Sequence, residues 1–290
     1  MTVRPSPLII EGAEAINLLK ACAAEVAAGR LIPYLGTGVA DLSAPSVPTT
    51  PEKLAAFLNS KVAVPARVRT NLWGAAQFID SRKHRKTLVA LMSEAFAAPV
   101  KPNLVHEWLA RLPAPVIVSS WYDGAMAAAL QAAGRTDFVE VQGSTRAEVG
   151  EARWFRFYDA AGAETTAAAA DAATTVLYSP HGSITPARNF LVADSDYVEV
   201  LTEIDIQSPI PDVIKERRSA RGFFFLGCRF HDQMLRTYAR QIAKRSVGRH
   251  VVVGDPAGYT RNELKFFAEY GVAVVAMPLE SAMEIVTRLA

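Results

Sequence analysis

Short runs of β-branched and aromatic residues punctuate this chain at residues 31–35, 116–120, 138–141, 176–178, 223–227, 250–253 and 272–277. Most are separated by stretches with helical periodicity, such as residues 11–29, where Ile16, Leu19, Cys22 and Val26 share one face and Gly29 ends the pattern. Strands alternating with helices leave few folds open. Parallel neighbours need a crossover, and the crossover helices cover both faces of the sheet. The expectation is therefore an α/β fold, a doubly wound, Rossmann-like parallel sheet. The run Phe223-Phe224-Phe225-Leu226 is apolar at every position, as a strand buried on both faces must be.

The chain reads as a single domain. Residues 1–10 are expected as a loose tail, residues 52–112 as a helical insertion covering the ligand crevice, and residues 25–50 and 113–290 as the core. Residues 143–173 resist assignment, and the Ala/Thr-rich tract at 160–175 fits helix or loop equally. Helices are expected at 194–204, 210–219, 232–243, 260–270 and 280–289. A net charge of +2 over 290 residues calls for neither nucleic acid nor an anionic membrane. No apolar run approaches the roughly 18–20 residues of a membrane span. The first residues lack a signal-peptide apolar core, and the two cysteines, Cys22 and Cys228, are far apart. A reduced, cytoplasmic setting is the expectation.

In a doubly wound sheet the ligand sits at the carboxyl ends of the strands. Four strand ends here carry small, polar or titratable residues: Gly36-Thr37-Gly38, Ser119–Asp123, His181-Gly182-Ser183 and Gly227-Cys228-Arg229. The Gly-x-Gly turn lets backbone approach a ligand closely, as a pyrophosphate cradle requires, although Asp41 breaks the longer G-x-G-x-x-G fingerprint. His181 has an ordinary pKa near neutrality and suits proton transfer; a strand-end histidine satisfied by backbone is the plainer alternative. Asp123 is equally a helix N-cap for the segment after Gly124. Arg229 is either a ligand contact or a solvated surface charge. The other histidines, His84, His106, His231 and His250, show no metal spacing. Trp73, Trp108 and Phe78 in the insertion read as core rather than as a substrate platform.

In this order the four strand ends resemble the sirtuin-like family, and most of all its bacterial branch that includes NAD hydrolases. The stretch from Phe225 to Leu235, Phe-Leu-Gly-Cys-Arg-Phe-His-Asp-Gln-Met-Leu, is similar to that branch's late motif, and the likeness spans roughly residues 25–290. The resemblance implies NAD as ligand or substrate. Gly36, Thr37 and Gly38 would cradle the pyrophosphate, and residues 41–50 would close over the nicotinamide ribose. Gly227, Cys228 and Arg229 would face the adenosine ribose and phosphates. Ser120 and Trp121 would lie beside the nicotinamide end. His181 would be the base, and Asp123 would recognise the carboxamide. A homo-oligomer or an effector protein partner is implied in the same way.

Two departures stand out. The family's catalytic Asn is replaced by Trp121, whose ring offers one N–H donor and no acceptor oxygen. No Asn lies between Asn103 and Asn189 to take its place; Ser119 or Ser120 could supply a hydroxyl. The four cysteines of the zinc ribbon found in protein-deacylating sirtuins are missing, so neither zinc nor lysine deacylation is expected. Two readings stay open: an NAD⁺ glycohydrolase, and a catalytically inactive binder of NAD or ADP-ribose acting as sensor or partner subunit. An interaction module on a decayed fold is a third. A dehydrogenase fits poorly, because the acidic residue nearest the ribose-binding offset, Glu52, opens a helix.

Overall fold

The computed structural model describes residues 6–144, 154–202 and 210–288. Residues 1–5 of the expected tail, 145–153 of the unassigned stretch, and 203–204 and 289 at the ends of two expected helices lie outside these. In chain order the strands are β1 (Ile9–Ile10), β2 (Leu31–Leu35), β3 (Val116–Ser119), β4 (Phe138–Gly143), β5 (Phe155–Tyr158), β6 (Thr175–Ser179), β7 (Gly182–Ser183), β8 (Asn189–Phe190), β9 (Gly222–Leu226), β10 (His250–Val253) and β11 (Val272–Val275). One sheet runs β1-β11-β10-β9-β2-β3-β6-β4-β5, and β7 and β8 form a separate antiparallel pair. Within the large sheet every pairing is parallel except β4 with β5.

Successive residues of the central strands enter two different cores. Phe223 and Phe225 of β9 join one cluster, and Phe224 and Leu226 join the other. In β2, Ile32 and Tyr34 go to the first, Leu31 and Leu35 to the second. This is the two-residue period of a strand buried on both faces, and it explains the unbroken apolar runs. The second core is covered by α1 (Gly12–Ala27), α6 (Leu104–Ala110), α7 (Ala125–Ala132) and α13 (Leu279–Thr287). The first lies under α3 (Pro51–Lys61), α4 (Leu72–Lys83), α5 (Arg85–Ala95), α9 (Asp194–Thr202), α10 (Asp212–Arg218), α11 (Gln233–Ala243) and α12 (Arg261–Glu269).

The chain leaves β2 for β3, β6 and β4 on one side, then returns to β9, β10 and β11 on the other. The strand order therefore reverses at β2. That reversal opens a crevice beyond its carboxyl end.

Several elements differ from expectation. Ile9 and Ile10, read as tail, pair with Val274 and Val275 and extend the sheet edge; two residues are too short for a periodicity to show. The unassigned stretch contains β5, an antiparallel edge strand. Its Ala/Thr tract resolves into a short helix α8 (Ala167–Ala172), opened by Thr166, whose hydroxyl accepts the Ala169 N–H, with β6 starting at Thr175. The insertion splits: α3 to α5 share the first core, whereas α6, with Trp108, packs under the second beside α7 and α13. Two contacts pin the covering helices α4 and α5 to α9. Gln77 accepts the Ser195 N–H at 2.7 Å, and Arg85 reaches the Asp196 carboxylate at 2.9 Å.

Candidate functional site

The floor of the crevice is the Gly36 turn locked against the loop after β9. The Gly36 N–H donates to the Leu226 carbonyl at 2.8 Å, and the Gly38 N–H to the Gly227 carbonyl at 2.9 Å. A Cβ on Gly36 would lie 2.5 Å from the Cys228 Cα, so only glycine allows these backbones to meet. Gly227 itself sits at φ +62°, a conformation open to glycine at little cost. One consequence departs from the sequence reading. The Gly38 amide, expected to face a phosphate, is spent inside the protein. The Thr37 amide has no partner among the described residues. It stands at the head of the single turn α2 (Gly38–Asp41).

The end of β3 supplies the next wall. Ser120 donates both its amide, at 2.9 Å, and its hydroxyl, at 2.7 Å, to the Leu35 carbonyl, so its proton is already committed. Trp121 is buried. Its indole N–H donates to the Pro48 carbonyl at 2.9 Å, and its ring lies 5.0 Å from Tyr122 and 5.8 Å, edge on, from Phe96. The side chain thus joins the strand end to the covering loop. Asp123 accepts the Ala125 N–H at 2.9 Å, the cap-like role weighed for it, and burial raises its carboxyl pKa. Ser120, Trp121 and Tyr122 line the crevice; Asp123 does not.

His181 follows β6 and is buried in a ring of tyrosines. Its Nδ1 lies 3.0 Å from the Tyr197 hydroxyl, and the Tyr238 ring centre is 4.9 Å away. Tyr197 donates to the Leu191 carbonyl at 3.2 Å, and Tyr122 donates to the same oxygen at 2.7 Å. When the Tyr197 proton points to Leu191, Nδ1 carries the imidazole proton and Nε2 is left as the acceptor. Burial pushes the His181 pKa down to about 3, so the ring is neutral across the physiological range. Sequence reasoning did not find these tyrosines: residues 122, 197 and 238 are distant in the chain, and only the topology gathers them. It also placed Trp73 in the core alone. Trp73 is buried there but lines the crevice too, and its indole N–H, beside Tyr197, makes no hydrogen bond of good geometry.

The opposite wall comes from the loop after β9. The buried Cys228 thiol lies 3.4 Å from the Tyr34 carbonyl, and burial raises its pKa well above the ordinary thiol value. Arg229 borders the crevice, but its guanidinium grips Glu263 through two bonds of 2.9 and 3.1 Å and also donates to the Gly258 carbonyl at 2.9 Å. Glu263 is fully buried and also accepts the Phe230 and Thr260 amides, at 2.9 and 2.8 Å. Expected to face adenosine and phosphates, Arg229 is thus held to the protein's own carboxylate. His231, read from the sequence only as lacking metal spacing, pairs with Glu52 of α3 at 3.1 Å and bridges the covering helix to this loop.

Thr37, Ser120, Trp121, His181, Cys228 and Arg229 therefore border one cavity, of about 30 Å³. That is room for about two water molecules. A dinucleotide would need Trp121 and its loop to move. The cavity offers two free donors, the Thr37 amide and the Trp73 indole N–H, beside a neutral imidazole.

Among the described residues no cluster of three His, Cys, Asp or Glu side chains is placed to hold a metal ion, and no helix is long and apolar enough to cross a membrane. A family model described as the SIR2-like domain matches residues 115–275, more than half of the chain. No curated protein matches the chain. The matched region holds β3 to β11; β2 and the Gly36 turn lie before it but are paired with β3 and β9 in the same sheet.

Proposed function

The chain belongs to the SIR2-like family, and on that premise we propose that the crevice at the end of β2 binds NAD through its ADP-ribose half. The observation that carries this reading is the convergence of four strand ends, those of β2, β3, β6 and β9, on one cavity at the point where strand order reverses. Thr37 and the Gly36 turn meet the diphosphate. Cys228 and Arg229 stand on the adenosine side. Trp121 and Ser120 stand at the nicotinamide end, and Asp123 is the carboxamide contact once the covering loop has opened. The indole at position 121 fills space that a nicotinamide ring needs, which favours ADP-ribose over intact NAD. In this reading the protein acts as a sensor or partner subunit, and a second copy or an effector protein reads its ligand state.

A second reading, hydrolysis of NAD⁺ to nicotinamide and ADP-ribose, is favoured by His181. Its Nε2 can take the proton of an attacking water as that oxygen bonds to the anomeric carbon. The C–N bond breaks as the new C–O bond forms, and its electron pair leaves with nicotinamide. What this reading lacks is a side chain in the place of the family's catalytic Asn.

One experiment separates them. Purified protein is incubated with NAD while nicotinamide and ADP-ribose are followed by chromatography, with His181→Ala as control; ADP-ribose binding is measured in parallel by calorimetry. Saturable ADP-ribose binding without nicotinamide release supports the binder. Release abolished by His181→Ala supports the hydrolase. Neither binding nor release overturns both.

A further inference from the structure

A second groove, sharing no residue with the crevice, lies between the start of α5, strand β5 and the turn into β8; it is open to solvent, with about 800 Å³ of volume. Four cations border it: Arg85, Lys86, Arg156 and Arg188; no carboxylate does. Arg85 is neutralised by Asp196 at 2.9 Å and also lies 3.8 Å from Asp80, and Arg156 lies 3.7 Å from Glu164. Lys86 and Arg188 are exposed and have no acidic partner among the described residues. Arg82 and Lys83, just before α5, are exposed as well.

The helix start adds to this. The first turn of α5 carries Arg85 and Lys86, no acidic residue and no side-chain cap. Cations at the positive end of a helix are destabilising by themselves and are relieved by an anion. Between the cations the wall is apolar, made by Val89, Ala90 and Ala187. The volume falls within the usual range of small-molecule sites, roughly 300–1,000 Å³.

We propose that this groove binds a small molecule carrying a terminal di- or triphosphate. Two unpaired cations, Lys86 and Arg188, with two further guanidinium groups on the same lining, call for several negative charges close together, which one terminal polyphosphate supplies. Nucleic acid is the less suitable occupant: a strand needs an extended basic track, and the chain's net charge of +2 provides no broad field.

The test is calorimetry of the full chain with inorganic triphosphate, for wild type and for Lys86→Glu with Arg188→Glu. Both residues are exposed, so the melting temperature is expected to hold; Lys86→Gln with Arg188→Gln is the milder pair should charge reversal disturb folding. The expected result is saturable one-to-one binding that weakens with added salt and drops about tenfold or more in the variants. ADP-ribose affinity, which reports on the crevice, is expected to stay unchanged. Absence of saturable triphosphate binding, or binding that both variants retain, overturns the proposal. So does a single-stranded oligonucleotide that binds more tightly than triphosphate.

Discussion

The indole N–H of Trp121 reaches the carbonyl oxygen of Pro48 at 2.9 Å, across 73 residues of sequence. One side chain thereby ties the end of β3 to the loop that covers the crevice. The same ring packs on Tyr122, whose hydroxyl shares the Leu191 carbonyl with Tyr197, the residue that orients His181. The covering loop, the strand end and the imidazole are thus joined in one packed unit.

Trp121→Phe keeps most of the ring and removes the bond to Pro48. The expected loss of stability is about 1 kcal/mol, with faster amide exchange confined to residues 42–50. Trp121→Asn opens the space beside Ser120, so NAD affinity is expected to rise toward that of ADP-ribose. Calorimetry with both ligands checks this; equal affinities already in the wild type would remove the case for an occluding indole.

Gly36→Ala is expected to cost about 3 kcal/mol or more. The added methyl would meet the Gly227 carbonyl and the Cys228 backbone, neither of which can swing aside as a long side chain does. Thermal unfolding measures the loss. A change below about 1 kcal/mol would mean that the turn is not held as tightly as its two backbone bonds imply.

The alternation of strands and helices was readable because each central strand is buried on both faces and each helix has one apolar side. Phe223 to Leu226 and the helical pattern that stops at Gly29 show this directly. Ile9–Ile10 and β7–β8 escaped detection because two residues carry no period, and β5 because its edge position leaves Phe155 and Phe157 only partly buried. The site was readable as positions at strand ends but not as contacts. The engagement of Arg229 by Glu263, of the Gly38 amide by Gly227 and of His181 by Tyr197 and Tyr238 all join residues far apart in the chain. No local pattern encodes those pairings.

Stability should fall in acid through His181. Its folded pKa is about 3, below the unfolded value of roughly 6.5, so between these limits the unfolded chain binds a proton that the folded chain refuses. The contribution is complete above pH 6.5 and is lost as pH falls toward 3. It amounts to on the order of 4 kcal/mol. His181→Gln should flatten this part of the profile in denaturant titrations at successive pH values. His106, lowered to about 4, preserves a second, similar slope. An unchanged profile in the variant would show that His181 is hydrated in solution.

Glu140 carries the opposite dependence. It is buried on β4, accepts from Gln142 and Ser179 at 2.9 Å each, and burial raises its pKa to about 7. The unfolded chain gives up this proton first, so the contribution is full below about pH 4.5 and is lost as pH rises through 7. Glu140→Gln cannot ionise. Its stability relative to wild type is expected to improve by about 2 kcal/mol between pH 5 and pH 8. A constant difference across that range would count against a carboxyl held protonated by burial.

Arg229 separates a structural from a ligand-binding role. Glu263 has no solvent exposure, so Arg229→Gln leaves a buried carboxylate with its amide donors but without its cation. The Arg229 side chain is 45% exposed, which reduces the cost below that of a fully buried pair, to about 2 kcal/mol. Glu263→Gln added to Arg229→Gln should recover part of the loss, because no charge then remains to be compensated. Unfolding of the two single variants and the double variant gives the coupling, and ADP-ribose titration of the double variant gives the binding role. Recovered stability with unchanged affinity would mean that the guanidinium serves the fold alone. Recovered stability with weakened affinity would mean that it turns from Glu263 to the ligand when the crevice fills.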